Sequence, residues 1–317
     1  MTRESEHVIE VENLTKRYGE LPAVNDISFT VSKGEVFALL GANGAGKTTT
    51  VEIIETLRTP TSGQVRLLGM DVTKRKCDFI HRIGVLPQGF NSFDRITVRE
   101  TLQYYSRLFN RRNADIDGLI TLADLEDKTR EQFQNLSGGM RQRLGIAVAL
   151  VNDPEVVFLD EPTTGLDPRA RRDVWGVLEG LKNKGKTIVL TTHYMEEAEF
   201  LADRVAIVSK GKIVAMDSPG NLAESLANYV ALTLQSADER VSEIVRRIGF
   251  EPIKDVRGSV RIHLEHADDV RNILNAIQAG GATLRGLDVR RPNLEEVFLR
   301  LTGEPLHEGP AGERRTE

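Results

Sequence analysis

The sequence contains a glycine-rich loop whose residue types and spacing suit the binding of phosphate. Residues 41–49 are GANGAGKTT, which fits the pattern of Gly, any four residues, Gly, Lys and Ser or Thr. The loop follows the apolar run VFALL and precedes a helical pattern, so backbone N–H groups and a helix N-terminus would face the phosphates. Lys47 is then expected to reach the β- and γ-phosphates, and the Thr48 hydroxyl to ligate Mg²⁺. The predicted nucleotide ligands are Gly41, Ala42, Asn43, Gly44, Ala45, Gly46, Lys47, Thr48 and Thr49.

An acidic pair follows a second apolar run, VVFL, at residues 156–159. Asp160 would lie at the carboxyl end of a buried strand, where open α/β sheets bind ligands. It is expected to anchor Mg²⁺ through water, whereas Glu161 is placed to orient or deprotonate the attacking water. Taken alone, the pair could also begin a solvated turn.

A second glycine-rich stretch, LSGGMRQR at residues 136–143, has no lysine after its glycines. It is therefore not another complete nucleotide site of the first kind. Ser137, Gly138 and Gly139 open a helical run and offer an anion a hydroxyl, unobstructed N–H groups and a helix dipole. Taken alone, they could also be only a helix cap. Arg141 and Arg143, in the same helix, predict a partly solvated face close to the phosphates.

The elements that must position these residues alternate strand-like apolar runs with helical patterns over residues 8–218. This alternation predicts an α/β domain at residues 1–220, with a mainly parallel sheet and an antiparallel β portion at its start. Residues 97–150 have apolar residues at helical spacing and predict an inserted helical subdomain. The MEE stretch at 195–197 is expected to be solvated helix surface.

A second, smaller domain is predicted at residues 221–303. Its pattern of strand, helix, strand, strand, helix and strand is that of an α+β ferredoxin-like fold. The apolar residues Leu294, Val297, Phe298 and Leu301 predict a final amphipathic helix that covers this domain. The polar residues 304–317 are expected to form a disordered tail.

Composition and charge limit the classes of protein to which this chain can belong. The chain has 317 residues, of which 28% are charged, and a formal net charge of -5, which argues against a dedicated nucleic-acid binder. Its single cysteine, Cys77, cannot form an internal disulfide, and the charged N-terminus lacks the apolar core of a secretory signal. No apolar run approaches the roughly 18 residues that suggest a membrane-spanning helix. We therefore expect a cytoplasmic protein whose contact with a membrane is peripheral.

The order GANGAGKTT, LSGGMRQR and VVFLDEP resembles the nucleotide-binding subunit of an ATP-binding-cassette (ABC) transporter over residues 8–218. The resemblance implies a P-loop cassette that binds ATP and Mg²⁺. It also implies that two cassettes pair head to tail, so that Ser137, Gly138 and Gly139 of one subunit cover the γ-phosphate held by the other.

The resemblance gives roles to four further residues. Tyr18 matches the aromatic residue that stacks on adenine, and Gln88 matches the glutamine that reaches Mg²⁺ and water and senses the membrane partner. Asp167, in TTGLDP, matches the aspartate that crosses the dimer interface. His193, after TIVLTT, matches the switch histidine that contacts the γ-phosphate. Glu161, His193, Gln88 and Lys47 are thus the predicted catalytic residues, and Thr48, Gln88 and Asp160 the predicted metal ligands.

Within the transporters, the ending RRPNLEEVFLRLTG at residues 290–303 resembles cassettes of ABC-2-type exporters, including the daunorubicin-resistance type. The implied function is ATP hydrolysis that powers a separate membrane permease, with the subunit peripheral on the inner face of the cell membrane. Three alternatives stay open. The transporter could import instead of export, or the chain could be a soluble cassette that acts on DNA or ribosomes, or it could be a regulator that binds ATP without useful hydrolysis. A single phosphate loop without a long coiled-coil insertion disfavours the soluble class, and Glu161 with His193 disfavours the regulator.

Overall fold

A computed structural model of the chain describes residues 7–74, 79–225, 230–236, 238, 240–254, 259–266, 268–290 and 294–303. These residues fall into two compact units, whose boundary along the chain lies between Pro219 and Gly220. The described residues do not include Cys77 or residues 304–317, for which the sequence predicts an unpaired cysteine and a disordered tail.

A central, mostly parallel sheet organises the first unit. Its strands are β3 (Val36–Leu40), β6 (Ile83–Leu86), β7 (Val156–Asp160), β8 (Thr187–Thr192), β9 (Arg204–Ser209) and β10 (Lys212–Asp217). They pair in the order β10-β9-β3-β8-β7-β6, and only the pair of β9 and β10 among them is antiparallel. All of β3 and β8 is buried, which explains why these strands are nearly continuous apolar runs in the sequence.

A second, antiparallel sheet begins at the N-terminal end of the described chain. This sheet consists of β1 (His7–Tyr18), β2 (Leu21–Ser32), β4 (Ser62–Leu67) and β5 (Met70–Asp71), in the order β2-β1-β4-β5. Ile9, Val11 and Leu14 are buried on β1 and belong to one apolar cluster with Phe37 and Leu39 of the parallel sheet. The two sheets therefore share one core.

The helices of this unit are α1 (Lys47–Ile54), α2 (Val98–Leu108), α3 (Ile116–Leu122), α4 (Gly138–Ala149), α5 (Pro168–Asn183) and α6 (Met195–Leu201), and α7 (Pro219–Ser225) begins at the boundary. A capping box between Thr97 and Glu100 starts α2. The sequence predicts helical spacing over residues 97–150, but α3 ends at Leu122 because Asp124 adopts a left-handed conformation with a φ of 53°. Only short 3₁₀ turns follow before α4.

The second unit comprises β11 (Val230–Gln235), α8 (Arg240–Arg247), β12 (Ile253–Lys254), β13 (Val260–Leu264), α9 (Asp269–Ala279), β14 (Gly286–Arg290) and α10 (Leu294–Thr302). The strands form an antiparallel sheet in the order β12-β13-β11-β14, which is the ferredoxin-like arrangement predicted from the sequence. Leu232, Ile262 and Ile273 lie in its core. On α10, Leu294, Val297 and Phe298 are buried as predicted, whereas Leu301 is only partly buried.

The described helices were also compared with the length and hydropathy that a membrane span requires. Not one of them is both long enough and apolar enough to cross a membrane.

Candidate active site

The carboxyl ends of four parallel strands carry the phosphate loop and three of the predicted catalytic residues. Residues 41–46 follow β3, Gln88 follows β6, Glu161 follows β7 and His193 follows β8. A cavity of about 450 Å³ is lined by Ala23, Asn43, Gly44, Gly46, Lys47, Thr48, Thr49, Gln88 and Glu161. This is the edge at which open α/β sheets bind ligands.

The loop between β3 and α1 requires glycine at the residue that caps the helix. Gly46 has a φ of 104°, in the left-handed region that side chains disfavour. A Cβ atom at this residue would lie 2.3 Å from the backbone oxygen of Ala23. The loop is also held by a hydrogen bond from Ala45 N to Ala42 O (3.1 Å) and by one from Gly41 N to Thr192 O (3.2 Å). The backbone of the loop is therefore fixed before any ligand binds.

Lys47 is the buried cation of this loop. Its side chain is 4% exposed, and Nζ donates hydrogen bonds to Gly41 O (2.8 Å) and Ala42 O (3.2 Å). The same Nζ lies 3.4 Å from Glu161 Oε1. Burial lowers the pKa of Lys47, and the charges of Glu161 and Asp160 partly oppose that effect. In this structure the loop carbonyls and Glu161 hold the ammonium group.

Glu161 is the point at which the strand-end residues meet. Its Oε2 accepts hydrogen bonds from Gln88 Nε2 (3.2 Å) and Thr164 Oγ1 (2.9 Å), and His193 Nδ1 lies 3.3 Å from the same oxygen. Its backbone φ of 48° is left-handed, a costly conformation for a residue with a side chain and one that often occurs at functional sites. Burial raises the pKa of Glu161, but the His193 ring, the Lys47 ammonium and the Thr164 hydroxyl outweigh it and bring the pKa to about 2. Glu161 is therefore held as a carboxylate.

Two of the predicted metal ligands are in direct contact. Thr48 Oγ1 donates a hydrogen bond to Asp160 Oδ1 (3.1 Å), and the Thr191 hydroxyl donates to the same oxygen. A hydroxyl and a carboxylate side by side next to a phosphate loop are the hard oxygen ligands that Mg²⁺ prefers. The third predicted ligand, Gln88, lies next to Glu161 instead.

The structure places the other predicted residues outside the lining of this cavity. Ser137 and Gly138 are exposed at the start of α4, where the Ser137 hydroxyl accepts a hydrogen bond from Met140 N (3.3 Å), and Gly139 beside them is buried. Asp167 caps α5 by accepting bonds from the backbone N–H groups of Arg169 and Ala170.

Tyr18 is also not among the residues that line the cavity. It ends β1 and is 43% exposed. The Lys16 ammonium lies 5.3 Å and the Arg58 guanidinium 5.7 Å from the centre of its ring. Stacking of Tyr18 on adenine stays a prediction.

The expectation of a partly solvated arginine face is wrong for Arg143. This side chain is 6% exposed, and its Nη1 donates to the backbone oxygens of Ala123 (2.9 Å) and Asp124 (2.8 Å). The guanidinium satisfies carbonyl groups at the end of α3, so its role is to anchor α4 to α3. Arg141 is partly buried, and its Nη2 donates to Gln134 O (2.7 Å).

Sequence reasoning missed several polar residues around the site. Thr164 bonds to the Glu161 carboxylate, and the Thr191 hydroxyl accepts a hydrogen bond from Glu161 N (3.0 Å). Both lie in the threonine pairs next to recognised motifs, but no spacing distinguishes them there. Glu55, at the end of α1, is 8% exposed; burial and the negative charges of Asp160 and Glu52 raise its pKa to about 8.

Comparison with known proteins shows the family of the chain. A family model described as ABC transporter matches residues 24–164. The chain is 41% identical over 302 residues to the Nod factor export ATP-binding protein I of Rhizobium meliloti (strain 1021), a match that covers 94% of this chain and 89% of that protein. It is 36% identical over 313 residues to the daunorubicin resistance ATP-binding protein DrrA3 of Streptomyces coeruleorubidus, covering 93% and 96% of the two chains.

Solved structures of cassettes have the same fold. A dimeric bacterial ABC transporter cassette, MJ0796, superposes with a TM-score of 0.58 at 28% identity and covers 66% of this chain and 98% of that one. A dimer of the same cassette in a post-hydrolysis state with ADP and Pi superposes with a TM-score of 0.57 at 27% identity, and covers the same shares of the two chains. These findings confirm the predicted family and fold class. The chain belongs to the ABC transporter family as an ATP-binding cassette, an ATPase.

Proposed function

We propose that this chain is the ATPase subunit of an ABC-2-type exporter and works on the cytoplasmic face of the membrane, bound to a separate permease. The names of the two relatives, Nod factor export and daunorubicin resistance, support the exporter assignment. Residues 1–220 are the ATP-binding domain, with a helical subdomain at about 97–150. Residues 221–303 form an accessory domain.

Two chains close head to tail around two ATP molecules. The observation that carries this proposal is that Ser137 and Gly138 form an exposed helix start outside their own chain's cavity. A hydroxyl and free N–H groups at a helix N-terminus bind an anion, so these residues are available to the γ-phosphate held by the other chain. The dimeric MJ0796 cassette supports the same arrangement. Asp167, exposed at the start of α5, is then an interface residue.

ATP hydrolysis uses the residues at the strand ends. Lys47 leaves the carbonyls of its loop and Glu161 to bind the β- and γ-phosphates. Glu161, released from the ion pair, takes a proton from water as the water oxygen bonds to the γ-phosphorus, and the bond from phosphorus to the ADP oxygen breaks. His193 donates a hydrogen bond to the γ-phosphate, and Tyr18 stacks on adenine. Thr48, Gln88 and Asp160 would hold Mg²⁺, which supplies positive charge next to the phosphates.

The permease docks on an exposed aromatic surface near Gln88. Phe93 is 57% and Tyr104 44% exposed, and their rings meet edge to face at 5.3 Å. Leu108, at the end of α2, is 64% exposed. Large exposed apolar side chains of this kind mark protein interaction sites. Gln88 connects the surface to the site, because its side chain bonds to Glu161.

Site-directed crosslinking in membranes tests this proposal. Cys77 is first replaced by Ser, and Phe93→Cys or Leu21→Cys is then introduced; Leu21 is a matched control because it is an apolar residue that is 76% exposed on β2. We expect Phe93→Cys alone to give an adduct with an integral membrane protein that has several spans. An adduct with ribosomal or DNA-binding proteins, or no difference between the two positions, would contradict the proposal.

A further inference from the structure

Helix α6 carries adjacent glutamates in opposite environments. Glu196 is exposed, as expected for solvated helix surface, but that expectation is wrong for Glu197, which is 0% exposed. A carboxyl group is costly to bury unless hydrogen bonds compensate it. Burial raises the pKa of Glu197, and nearby hydroxyl groups and the Trp175 N–H oppose the rise. The cost of burying the Glu197 carboxyl group next to the site indicates that its contacts have a specific role.

One oxygen of Glu197 accepts two hydrogen bonds. Thr163 Oγ1 donates to Oε1 at 2.7 Å, and Trp175 Nε1 donates to the same atom at 3.1 Å. Thr163 is 0% and Trp175 8% exposed, so both bonds are protected from water. The other oxygen, Oε2, is buried with no hydrogen-bond partner among the described residues. The two bonds to Oε1 therefore carry the connection, and the Thr192 hydroxyl also helps to keep the pKa of Glu197 from rising further.

These two bonds join three segments of the site. Thr163 lies in the turn that carries Glu161 and Thr164. Trp175 lies on α5, the helix that Asp167 caps. Glu197 itself lies on α6, which begins immediately after the segment of His193 and Tyr194. A single buried atom thus connects the turn after β7, helix α5 and the helix after β8.

We propose that Glu197 is a positioning residue for ATP hydrolysis, which holds the turn of Glu161 and the segment of His193 at the separation that the reaction needs. The proposal rests on the roles of Glu161 and His193 in the proposed function. His193 Nδ1 lies 3.3 Å from Glu161 Oε2, and the two side chains come from different strand ends. Without the Glu197 connection, the turn and α6 can shift relative to each other. A displacement of about 1 Å can lower a rate by about a hundredfold.

Two substitutions separate the hydrogen bonds from the charge. Glu197→Gln keeps Oε1 as an acceptor for Thr163 and Trp175, and its amide nitrogen replaces the unpartnered Oε2. Glu197→Met has similar length but no acceptor, so it removes both bonds. We expect Glu197→Met to lower kcat by at least about tenfold with KM nearly unchanged. Glu197→Gln is expected to keep kcat within about twofold of the parent value, because the hydrogen bonds and not the charge of Glu197 position the site.

The experiment measures kcat and KM of the full chain, together with the affinity and stoichiometry of a fluorescent ATP analogue. Glu196→Met is the matched control, since it makes the same change at the exposed neighbour; its kcat is expected to stay within about twofold. Thr163→Val removes one of the two bonds at constant shape and replaces Glu197→Met if that variant does not fold. Thr163→Val is expected to bind nucleotide at full stoichiometry and to lower kcat by a smaller factor than Glu197→Met does.

Several results would overturn the proposal. Unchanged kcat in Glu197→Met would mean that the connection is dispensable. Equal losses in Glu197→Gln and Glu197→Met would mean that the charge matters instead of the bonds. A kcat that falls only in proportion to the nucleotide stoichiometry would mean that Glu197 supports folding and does not position the site, which contradicts the proposal. The kcat of Glu161→Gln is measured in parallel. If Glu161→Gln hydrolyses ATP at the parent rate, the proposed function fails. If kcat falls in Glu161→Gln but not in Glu197→Met, only the positioning role of Glu197 is contradicted.

Discussion

Replacement of Glu161 by glutamine tests the proposed chemistry and has two separable effects. The substitution removes the carboxylate that would accept a proton from the attacking water but keeps the size of the side chain. A positioned general base contributes about 10²- to 10⁴-fold, which corresponds to roughly 2.7 to 5.4 kcal/mol of transition-state stabilisation. We therefore expect Glu161→Gln to lower kcat by at least about a hundredfold.

The same substitution is expected to strengthen ATP binding. Lys47 Nζ lies 3.4 Å from Glu161 Oε1, and the two side chains are 4% and 7% exposed. At an effective dielectric constant of about 20, charges at this separation attract each other by roughly 5 kcal/mol, most of which is offset by the desolvation of the two ions. Lys47 must leave this pair to reach the phosphates. Removal of the carboxylate should therefore lower the Kd for MgATP by about tenfold, or about 1.4 kcal/mol.

Both effects can be measured on the same preparation. Release of phosphate in a single turnover reports the chemical step, and titration with a fluorescent ATP analogue reports the Kd. Glu155→Gln is the matched control because its carboxylate pairs with Arg82 at the surface (Arg82 Nη2 to Oε2, 3.0 Å), away from the cavity. A Glu161→Gln variant that hydrolyses ATP within about tenfold of the parent rate would refute the assignment of the base, and weaker binding would refute the competition for Lys47.

Three further predictions concern the loop and the buried charges. Lys47→Ala is expected to weaken MgATP binding by at least about tenfold, since it removes the cation that faces the phosphates; an unchanged Kd in the titration would contradict the loop assignment. Gly46→Ala is expected to destabilise the chain by roughly 2 to 4 kcal/mol in urea unfolding, because its Cβ would lie 2.3 Å from Ala23 O. Gly44→Ala is expected to cost less, because among the described residues beyond its chain neighbours its Cβ would meet no atom within 4 Å; equal losses would contradict this steric argument. Glu55 has its pKa raised from 4.5 to about 8, so its contribution to stability is complete below pH 4.5 and is lost as the pH rises through 8. At about 1.4 kcal/mol per pKa unit, Glu55→Gln should remove up to about 4 kcal/mol of the stability loss between pH 5 and pH 8.5. Parallel curves of unfolding free energy against pH for the parent and Glu55→Gln would contradict the assigned cause.

The residues at strand ends and in glycine-rich loops could be placed from the sequence because their positions follow from the backbone. Asp160 and His193 each end or follow a nearly continuous apolar run, and Lys47 follows the glycine-rich loop after another such run. The carboxyl ends of parallel strands meet at one edge of a sheet. The ferredoxin-like order of the second unit could be predicted for a related reason, since each strand and helix has a distinct apolar period.

Side-chain environments within helices could not be predicted in this way. Arg143 and Glu197 are charged residues in helical stretches, a pattern typical of solvated surface, yet both are buried. Their partners, the carbonyls of Ala123 and Asp124 and the side chains of Thr163 and Trp175, come from distant parts of the chain. The ion pair of Lys47 with Glu161 likewise arises only when β3 and β7 lie in one sheet.

The central claim is that the Ser137 segment of one chain covers the ATP of another. Glu161→Gln, which is expected to retain bound ATP, provides the background for sedimentation analysis with and without MgATP. Ser137→Asp and Ser137→Asn both preserve the helix cap, but only Asp puts a negative charge next to the γ-phosphate. We predict that MgATP dimerises Glu161→Gln and its Ser137→Asn form, while the Ser137→Asp form stays monomeric with one ATP bound. A monomer in all three, or a dimer that forms equally with Ser137→Asp, would contradict the account.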